Sequence, residues 1–396
     1  MQNEDRCIVH LDLDTFFVSV ERLHDKRLIG KPVLIGGSSD RGVVASCSYE
    51  ARKFGIHSAM PMKMARKLCK DAIIIGGNMK EYSKYSKIVT TIIDEEAPIY
   101  EKASIDEHYL DISGLDKYFG NYNWASKLRH RIIKETGLPI SFGISTNKTV
   151  AKIATGEAKP NGLLHVPADQ IQAFLNPLSI KKIPMVGKKT YEQLLSMGVS
   201  TIEMLSNVSI EKMDMHFGKA GIIIWNKAHG IDPTPVLSNS ERKSISTETT
   251  FEKDLMDSSI LKQKLIIMVE KVAFQLREKQ KLAAIITLKI RHSDFTTHTL
   301  QKQIPYTAFD HILNQEALDL FKKLYKKQNP IRLIGIRVSG LVNGKQQLNM
   351  FEDSPEMTKL YQAMDNVRQR YGEKYLKRAV GIKTSEEQKD EENSRD

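Results

Sequence analysis

Cys7-Ile-Val-His-Leu-Asp-Leu-Asp14 is the stretch on which the fold turns. Apolar residues alternate with polar ones near its end, the period of a β-strand with one buried face, and two carboxylates close it. Ser104-Ile-Asp-Glu-His-Tyr-Leu-Asp111 also has the composition of a strand, yet carries Asp106 and Glu107 inside it. Acidic residues rarely sit in sheet interiors unless they are paired or bound to cations. Two such strands side by side would cluster carboxylates and call for a divalent cation. Mg²⁺, which takes one or two carboxylates plus phosphate oxygens, suits phosphoryl transfer. The competing reading is that these acids cap strand ends or pair with lysines. Alternation puts Asp12 and Asp14 on one face and the adjacent Asp106 and Glu107 on opposite faces. By itself it selects Asp14 as a ligand and leaves out one of the second pair; only a bend or a strand end there brings both inward.

Outward from these strands, Phe17–Leu23 has helical spacing, and Lys31–Gly37 and Gly42–Ser46 read as short strands bounded by glycines. Met62–Cys69, Tyr82–Glu95 and Trp124–Thr136 read as helices, Ile140–Ile144 as a strand, and Thr146–Ala158 as a helix stopped by Lys159-Pro-Asn-Gly162. This mixture through Val166 argues for one α+β domain with an insertion. Strand signals nearly vanish from Pro167 to Gly230, which predicts a small helical domain, and Ile231–Arg242 is a linker by composition. A second α+β unit follows, with helices at Ser258–Gln280 and Phe309–Lys327 and strands including Ala283–Arg291 and Leu333–Ser339. Met357–Lys377 looks helical, with Leu360, Met364, Val367 and Tyr371 on one face; from Ser385 the chain is charged and expected to be disordered.

With 396 residues, two to four domains are expected. The chain lacks an apolar run of about 18 residues, and Met1–Arg6 is polar where a signal peptide needs an apolar core, so a cytosolic protein is expected. Cys7, Cys47 and Cys69 form no C-x-x-C pair, so neither a disulfide framework nor a structural zinc site is indicated. The net charge is +11, and a basic surplus suits a polyanionic partner whose condensed counterions Lys and Arg replace. Residues 242–345 hold 19 basic and 10 acidic side chains, whereas 384–396 hold 6 acidic and 2 basic.

His10-Leu-Asp-Leu-Asp-Thr-Phe-Phe-Val-Ser-Val-Glu21 resembles the first motif of the Y-family DNA polymerases, in particular the DinB or DNA polymerase IV branch. Ser104–Asp111 resembles the family's S-I-D-E-x-Y-L-D motif, Arg41–Gly55 its fingers motif, and Ala158-Lys-Pro-Asn-Gly162 the segment closing the palm. The resemblance implies a multidomain α+β right-hand polymerase: a palm at 1–18 and 77–166, fingers at 19–76, a helical thumb with a helix-hairpin-helix at 167–231, a linker at 232–242, an α+β little finger at 243–343, and a tail at 344–396.

The same resemblance implies that Asp12, Asp106 and Glu107 hold two Mg²⁺ ions, with Mn²⁺ able to substitute, and that the Leu13 carbonyl completes one site; Asp14 becomes a structural acid. Phe17 matches the steric gate that excludes a ribose 2′-hydroxyl, with Phe16 packing near the incoming sugar and base. Tyr49 and Arg52, at i and i+3 of one helical face, match triphosphate contacts, as do Ser46 and Lys159. Ile183-Pro-Met-Val-Gly-Lys-Lys-Thr190 resembles the thumb hairpin whose turn donates N–H groups to a DNA phosphate, with Met185 where a glycine is usual; a purely structural αα-hairpin is the alternative. Gln347-Leu-Asn-Met-Phe351 resembles the pentapeptide that binds the bacterial sliding clamp, anchored by Gln347, Leu348, Met350 and Phe351.

Primer-template DNA, deoxynucleoside triphosphates and the clamp are thus the implied partners, with a monomer and a cytoplasmic, nucleoid-associated location expected. Small residues at Val43, Ala45 and Ser58 fit an open site that tolerates distorted bases, and no stretch remains for a proofreading exonuclease, so low-fidelity translesion synthesis is implied. A metal-dependent nuclease could use the same carboxylates but needs neither Phe17 nor Tyr49, Arg52 and Lys159; a catalytically dead relative would need a lost ligand.

Overall fold

In the computed structural model the first strand is β1 (Ile8–Leu13), the middle strand of a five-stranded sheet. It is flanked antiparallel by β6 (Glu107–Asp111) and β7 (Ile140–Ser145); β5 (Ile99–Lys102) lies outside β6, and β8 (Leu163–His165) runs parallel outside β7. The structure describes residues 6–37, 39–115, 120–238, 241–326, 329–344, 355–372, 375–376 and 378–379. The chain divides into two compact units, Met1–Ser240 and Glu241–Asp396.

The two faces of the first sheet differ in kind because its strands alternate. Val9, Leu11, Leu13, Leu110, Ile140, Phe142 and Ile144 enter an apolar core with α1 (Phe16–His24), α4 (Met79–Glu96) and α5 (Asn121–Thr136). The other face presents Ile8, His10, Asp12, Glu107, Tyr109, Ser141 and Gly143 beneath α6 (Lys148–Ala158), which Asn147 caps by accepting the Val150 N–H at 3.0 Å. Gly143 is what lets α6 lie so close: a Cβ there would stand 2.2 Å from the Ala151 carbonyl oxygen.

A second, three-stranded sheet, ordered β3-β2-β4, comprises β2 (Val33–Gly36), β3 (Val44–Cys47) and β4 (Ile73–Ile75). With α2 (Tyr49–Arg52) and α3 (Met62–Leu68) it encloses its own core of Leu34, Val44, Ala51, Ile56, Met60 and Met62. Cys7, Cys47 and Cys69 are buried and not joined in disulfides. From 167 to 230 the described chain is helical, with α7 (Ile171–Leu175), α8 (Lys188–Ser196), α9 (Ile202–Ser206), α10 (Ile210–Phe217) and α11 (Lys219–Ala228) around a core that includes Leu194, Ile202, Met213 and Ile224.

The segment after α11, a linker by composition, is fastened at its start to α6 and the first sheet. Asn147 donates to the Gly230 carbonyl at 2.8 Å, Thr149 to Asp232 at 2.7 Å, and Val236 packs on Ile8 and Ala151.

The second unit has a four-stranded sheet, ordered β11-β10-β12-β9, built from β9 (Ser244–Leu255), β10 (Lys281–His292), β11 (Thr297–Thr307) and β12 (Ile331–Asn343). One face is covered by α12 (Ser258–Glu278) and α13 (Asp310–Leu324) over a core of Leu265, Val269, Ile286, Leu288, Ile334 and Ile336. The open face is polar: Thr287, Lys289 and Arg291 of β10 lie in register with Arg337, Gly335 and Leu333 of β12.

The helix expected over 357–377 is α14 (Pro355–Tyr371), but the apolar stripe does not face the protein. Leu360, Val367 and Tyr371 are exposed, whereas Tyr361 and Arg368 are buried. α14 docks through the Tyr361 ring, stacked on Phe309 with centroids 5.3 Å apart, and through charge: Arg277 binds Asp365 through Nε at 2.6 Å and Nη2 at 2.9 Å, and Arg368 donates to Glu270 at 3.3 Å. Among the described residues no helix is long and apolar enough to cross a membrane.

Candidate active site

Asp12 is the register partner of Glu107 on one side and of Ser141 on the other, so the three side chains share the face beneath α6. The conflict that alternation posed is resolved because both strands end here. β6 begins only at Glu107, and Ser104–Asp106 forms a bend. The Ser104 hydroxyl oxygen holds that bend: it accepts the N–H of Asp106 at 3.2 Å and of Glu107 at 3.0 Å and donates to the Asp106 carboxylate at 2.5 Å. The Asp106 carbonyl accepts the Leu13 N–H at 3.1 Å, which keeps the bend beside the end of β1. Asp106 therefore lies outside the strand, where alternation no longer assigns it to the far face.

Asp14 also lies past its strand, and its backbone N–H goes to the Pro139 carbonyl at 2.9 Å. The carboxylate is 1 % exposed and accepts from the Ser141 hydroxyl at 2.9 and 3.0 Å, from the Asn161 N–H at 2.6 Å and weakly from the Tyr49 hydroxyl at 3.5 Å. Asp14 thus fastens the turn after α6, the turn that carries Lys159.

Two lysines offset the acids. The Lys159 ammonium is paired with Asp12, and Lys152 Nζ with Glu107 Oε2 at 2.5 Å. Burial raises the Asp12 carboxyl to about 7, with Glu107 and Asp106 pushing the same way and Lys159 opposing them. Glu107 is held well below the usual carboxylate range, first by the facing His10 imidazole and, against the pull of burial, by Lys152. Among the described residues no three His, Cys, Asp or Glu side chains converge on one point as they stand. The donor set nevertheless fits a hard divalent cation: oxygens only, from Asp12 and Glu107 in register and Asp106 on the bend beside them. The Leu13 side chain is in the core.

Of the expected nucleotide contacts, Phe17 is partly buried and stacked on Tyr82, with centroids 4.3 Å apart and 12° between planes. Tyr82 is itself fixed by donating to Glu21 at 2.6 Å. Phe16 is 2 % exposed, and its ring packs in the core. Ser46 lies on β3 and is partly exposed; Arg52 is exposed, with its guanidinium 4.9 Å from the centroid of the Tyr49 ring. Burial, and after it the Asp14 charge, keeps the Tyr49 phenol protonated. Met185 adopts φ +84°, the left-handed conformation for which the hairpin turn favours glycine. Gln347, Leu348, Met350 and Phe351 lie outside the described residues.

Sequence reasoning missed Lys152, His10, Ser141 and Tyr82. Lys152 had a signal: Lys148, Lys152, Thr155 and Lys159 form a polar i, i+4, i+7, i+11 stripe on a segment otherwise rich in buried residues. His10 had a weaker one, its position two residues before Asp12 on an alternating strand.

A carboxylate pair on the two central strands of an antiparallel-centred sheet, with lysines opposite it and a small α/β insertion, a helical domain and a separate sheet following, defines a nucleotidyl-transferring polymerase of the right-hand class. A model of the impB/mucB/samB family matches residues 11–156, that of the family's C-terminal domain residues 242–350, and one described as the DNA polymerase-iota thumb domain residues 181–232. The chain belongs to this family, the Y-family DNA polymerases. A DNA polymerase IV of Dehalococcoides mccartyi is 41% identical over 372 residues, 93% of this chain and 95% of that protein. A DNA polymerase IV of Streptococcus pneumoniae is 39% identical over 341 residues, 85% of this chain and 97% of that protein. Among solved structures, a Y-family DNA polymerase chimera of Dbh and Dpo4 matches with a TM-score of 0.74 at 26% identity, and DinB from Sulfolobus solfataricus with 0.59 at 26%; each match covers 85% of this chain and 100% of the other. The fold is accordingly that of palm, fingers, helical thumb and little finger, and the protein is a metal-dependent, DNA-directed DNA polymerase of the translesion class.

Proposed function

We propose that this chain adds deoxynucleotides to a primer 3′ end with Asp12, Asp106, Glu107 and the Leu13 carbonyl holding two Mg²⁺ ions, for which Mn²⁺ can stand in. The observation that carries the assignment is the pairing of Asp12 with Glu107 in register, with Asp106 on the bend beside them. When bound, such a pair of ions activates the attacking hydroxyl and offsets charge on the leaving group.

The side chains of the protein itself do the rest. Lys159 and Lys152 neutralise the carboxylates in this state, and Lys159, once released from Asp12, would reach a phosphate oxygen of the incoming nucleotide. Arg52, Tyr49 and Ser46 supply further phosphate donors, the planar guanidinium matching two oxygens at once. Phe17, backed by Tyr82, is the steric gate; Phe16 contributes through its main chain, its ring being in the core. In the second unit, Lys289, Arg291 and Arg337 on the open face would meet duplex phosphates without reading sequence. The Met185 turn would give its N–H groups to a DNA phosphate.

The domain limits follow the motifs: palm 1–18 and 77–166, fingers 19–76, thumb 167–231, linker 232–242, little finger 243–343 and tail 344–396. Gln347, Leu348, Met350 and Phe351 would bind the sliding clamp, and the protein would act as a cytoplasmic, nucleoid-associated monomer.

The test is primer extension with Mg²⁺ and the four deoxynucleotides, comparing the intact protein with Asp106→Ala. Template-dependent extension lost in the variant is expected. Extension that survives the substitution would remove Asp106 from the metal site, and shortening of the primer by the intact protein would favour a nuclease.

A further inference from the structure

One titratable side chain on the site face of β1 has no part in the chemistry above. His10 precedes Asp12 by one pleat repeat, faces Tyr109 in register and is 1 % exposed. Its ring is held from two sides: it lies against the Tyr109 ring with centroids 4.6 Å apart, and Nδ1 is 2.8 Å from the Thr155 hydroxyl of α6. The remaining nitrogen, Nε2, is buried, has no hydrogen-bond partner and stands 3.8 Å from Glu107 Oε2. A buried polar atom without a partner costs about 1–3 kcal/mol, so this one calls for an explanation.

The carboxylate decides where the proton sits. Thr155 can donate to Nδ1, which puts the proton on Nε2 facing Glu107, or donate to a carbonyl and accept from Nδ1, which turns a bare lone pair toward an anion. A hydrogen bond to a charged group is worth roughly twice a neutral one, which favours the first arrangement. The gap of 3.8 Å exceeds an N–H···O bond of about 2.9 Å, and Lys152 is at Oε2, 2.5 Å away. Oε1 has no protein partner among the described residues.

We propose that His10 is a positioning residue for Glu107: its Nε2–H takes Oε2 when Lys152 lets go, and so fixes the orientation in which Oε1 meets the metal. This rests on Glu107 being a metal ligand. A neutral, rigidly held imidazole suits the task, since it orients the carboxylate without adding a charge that would repel the cation.

The test measures Mn²⁺ binding by calorimetry to the full-length protein on a dideoxy-terminated primer-template with a deoxynucleotide, where no turnover occurs. The variants are His10→Phe, which fills the volume without an N–H, His10→Gln, which places an amide N–H near Nε2, and Glu107→Gln as the control on the underlying reading. His10→Phe is expected to weaken Mn²⁺ binding about 10–100-fold without lowering the melting temperature, and His10→Gln to restore most of it. Should His10→Phe fail to fold, Thr155→Val removes the other anchor of the ring and is expected to weaken binding as well. Mn²⁺ binding lost in Glu107→Gln but unchanged in His10→Phe, or in Thr155→Val if that is the variant that folds, overturns the role of His10 alone. Equal losses in His10→Phe and His10→Gln, tracking melting temperature, reduce His10 to packing. Mn²⁺ binding unchanged in Glu107→Gln overturns both the reading and this inference.

Discussion

Asp12 and Asp14 are two residues apart and both largely buried, yet neutral substitution should move them in opposite directions. Asp14→Asn keeps the shape but turns an amide NH₂ toward the Ser141 hydroxyl or the Asn161 N–H, donors that now bind the carboxylate at 2.9 and 2.6 Å. Losing one charge-assisted bond and stranding a buried donor costs about 3 kcal/mol, or roughly 6–12 °C of melting temperature at 2–4 °C per kcal/mol for a body of this size. Asp12→Asn removes a charge that its surroundings oppose. The carboxyl is raised from 3.8 to about 7, so the folded protein binds this proton more tightly than the unfolded chain. Relative to a neutral side chain it costs nothing below pH 3.8, the cost grows as pH rises from 3.8 toward 7, and it is complete above that. A shift of about three units corresponds to about 4 kcal/mol at pH 8. Melting curves at pH 8 in a chelator should therefore show Asp12→Asn at or above the parent protein and Asp14→Asn well below it. Primer extension at 25 °C should show the reverse, absent in Asp12→Asn and present in Asp14→Asn. An Asp12→Asn variant that melts lower than Asp14→Asn, or that still extends a primer, would refute the reasoning.

Because Asp12 must lose its proton to bind a cation, Mn²⁺ affinity should rise with pH up to about 7 and then flatten, with proton release measurable by calorimetry in buffers of different ionisation enthalpy; a flat profile would contradict it. Met185→Gly should raise the melting temperature, since a non-glycine residue at φ +84° costs about 1–2 kcal/mol and this side chain is 55% exposed; a fall would mean that the turn is unstrained. Arg337→Ala and Lys289→Ala should each weaken DNA binding evenly across sequences and reduce the salt slope by about 1; an unchanged slope would remove that residue from the phosphate contacts.

Most helices of the fold could be read from their apolar spacing, because each buries one stripe. The strands that escaped were of a different kind. β9 and β11 are the outer strands of the second sheet and solvated on one face, and their mixed composition (Ser-Ile-Ser-Thr-Glu-Thr-Thr in β9) hides the alternation. β4, β5 and β8 run only three or four residues, too short for any period to emerge. α14 misled in the opposite sense, since its apolar stripe faces outward while arginines and acids hold it down. At the site, alternation chose Asp14 and excluded one of Asp106 and Glu107; it holds only within strands, and Asp14 and Asp106 both lie outside theirs. The Ser104 hydroxyl that makes the bend is an ordinary serine until its three partners are seen together.

The position of α6 explains why so much of the machinery hangs on one helix. Residues 148–158 span about 16 Å at 1.5 Å per residue. The first turn grips the segment after the thumb: Lys148 binds Glu101 at 2.7 Å, which in turn accepts the Leu237 N–H at 2.9 Å, and Thr149 holds Asp232. One turn later Lys152 meets Glu107, then Thr155 meets His10, and just past the end Lys159 meets Asp12. Gly143 lets this helix lie against the sheet, so a Cβ there would displace the linker seat together with Lys152 and Lys159. The i, i+4, i+7, i+11 stripe therefore connects the segment after the thumb to the carboxylates, and its polar residues stay in a buried face because each has a partner on the sheet or the linker.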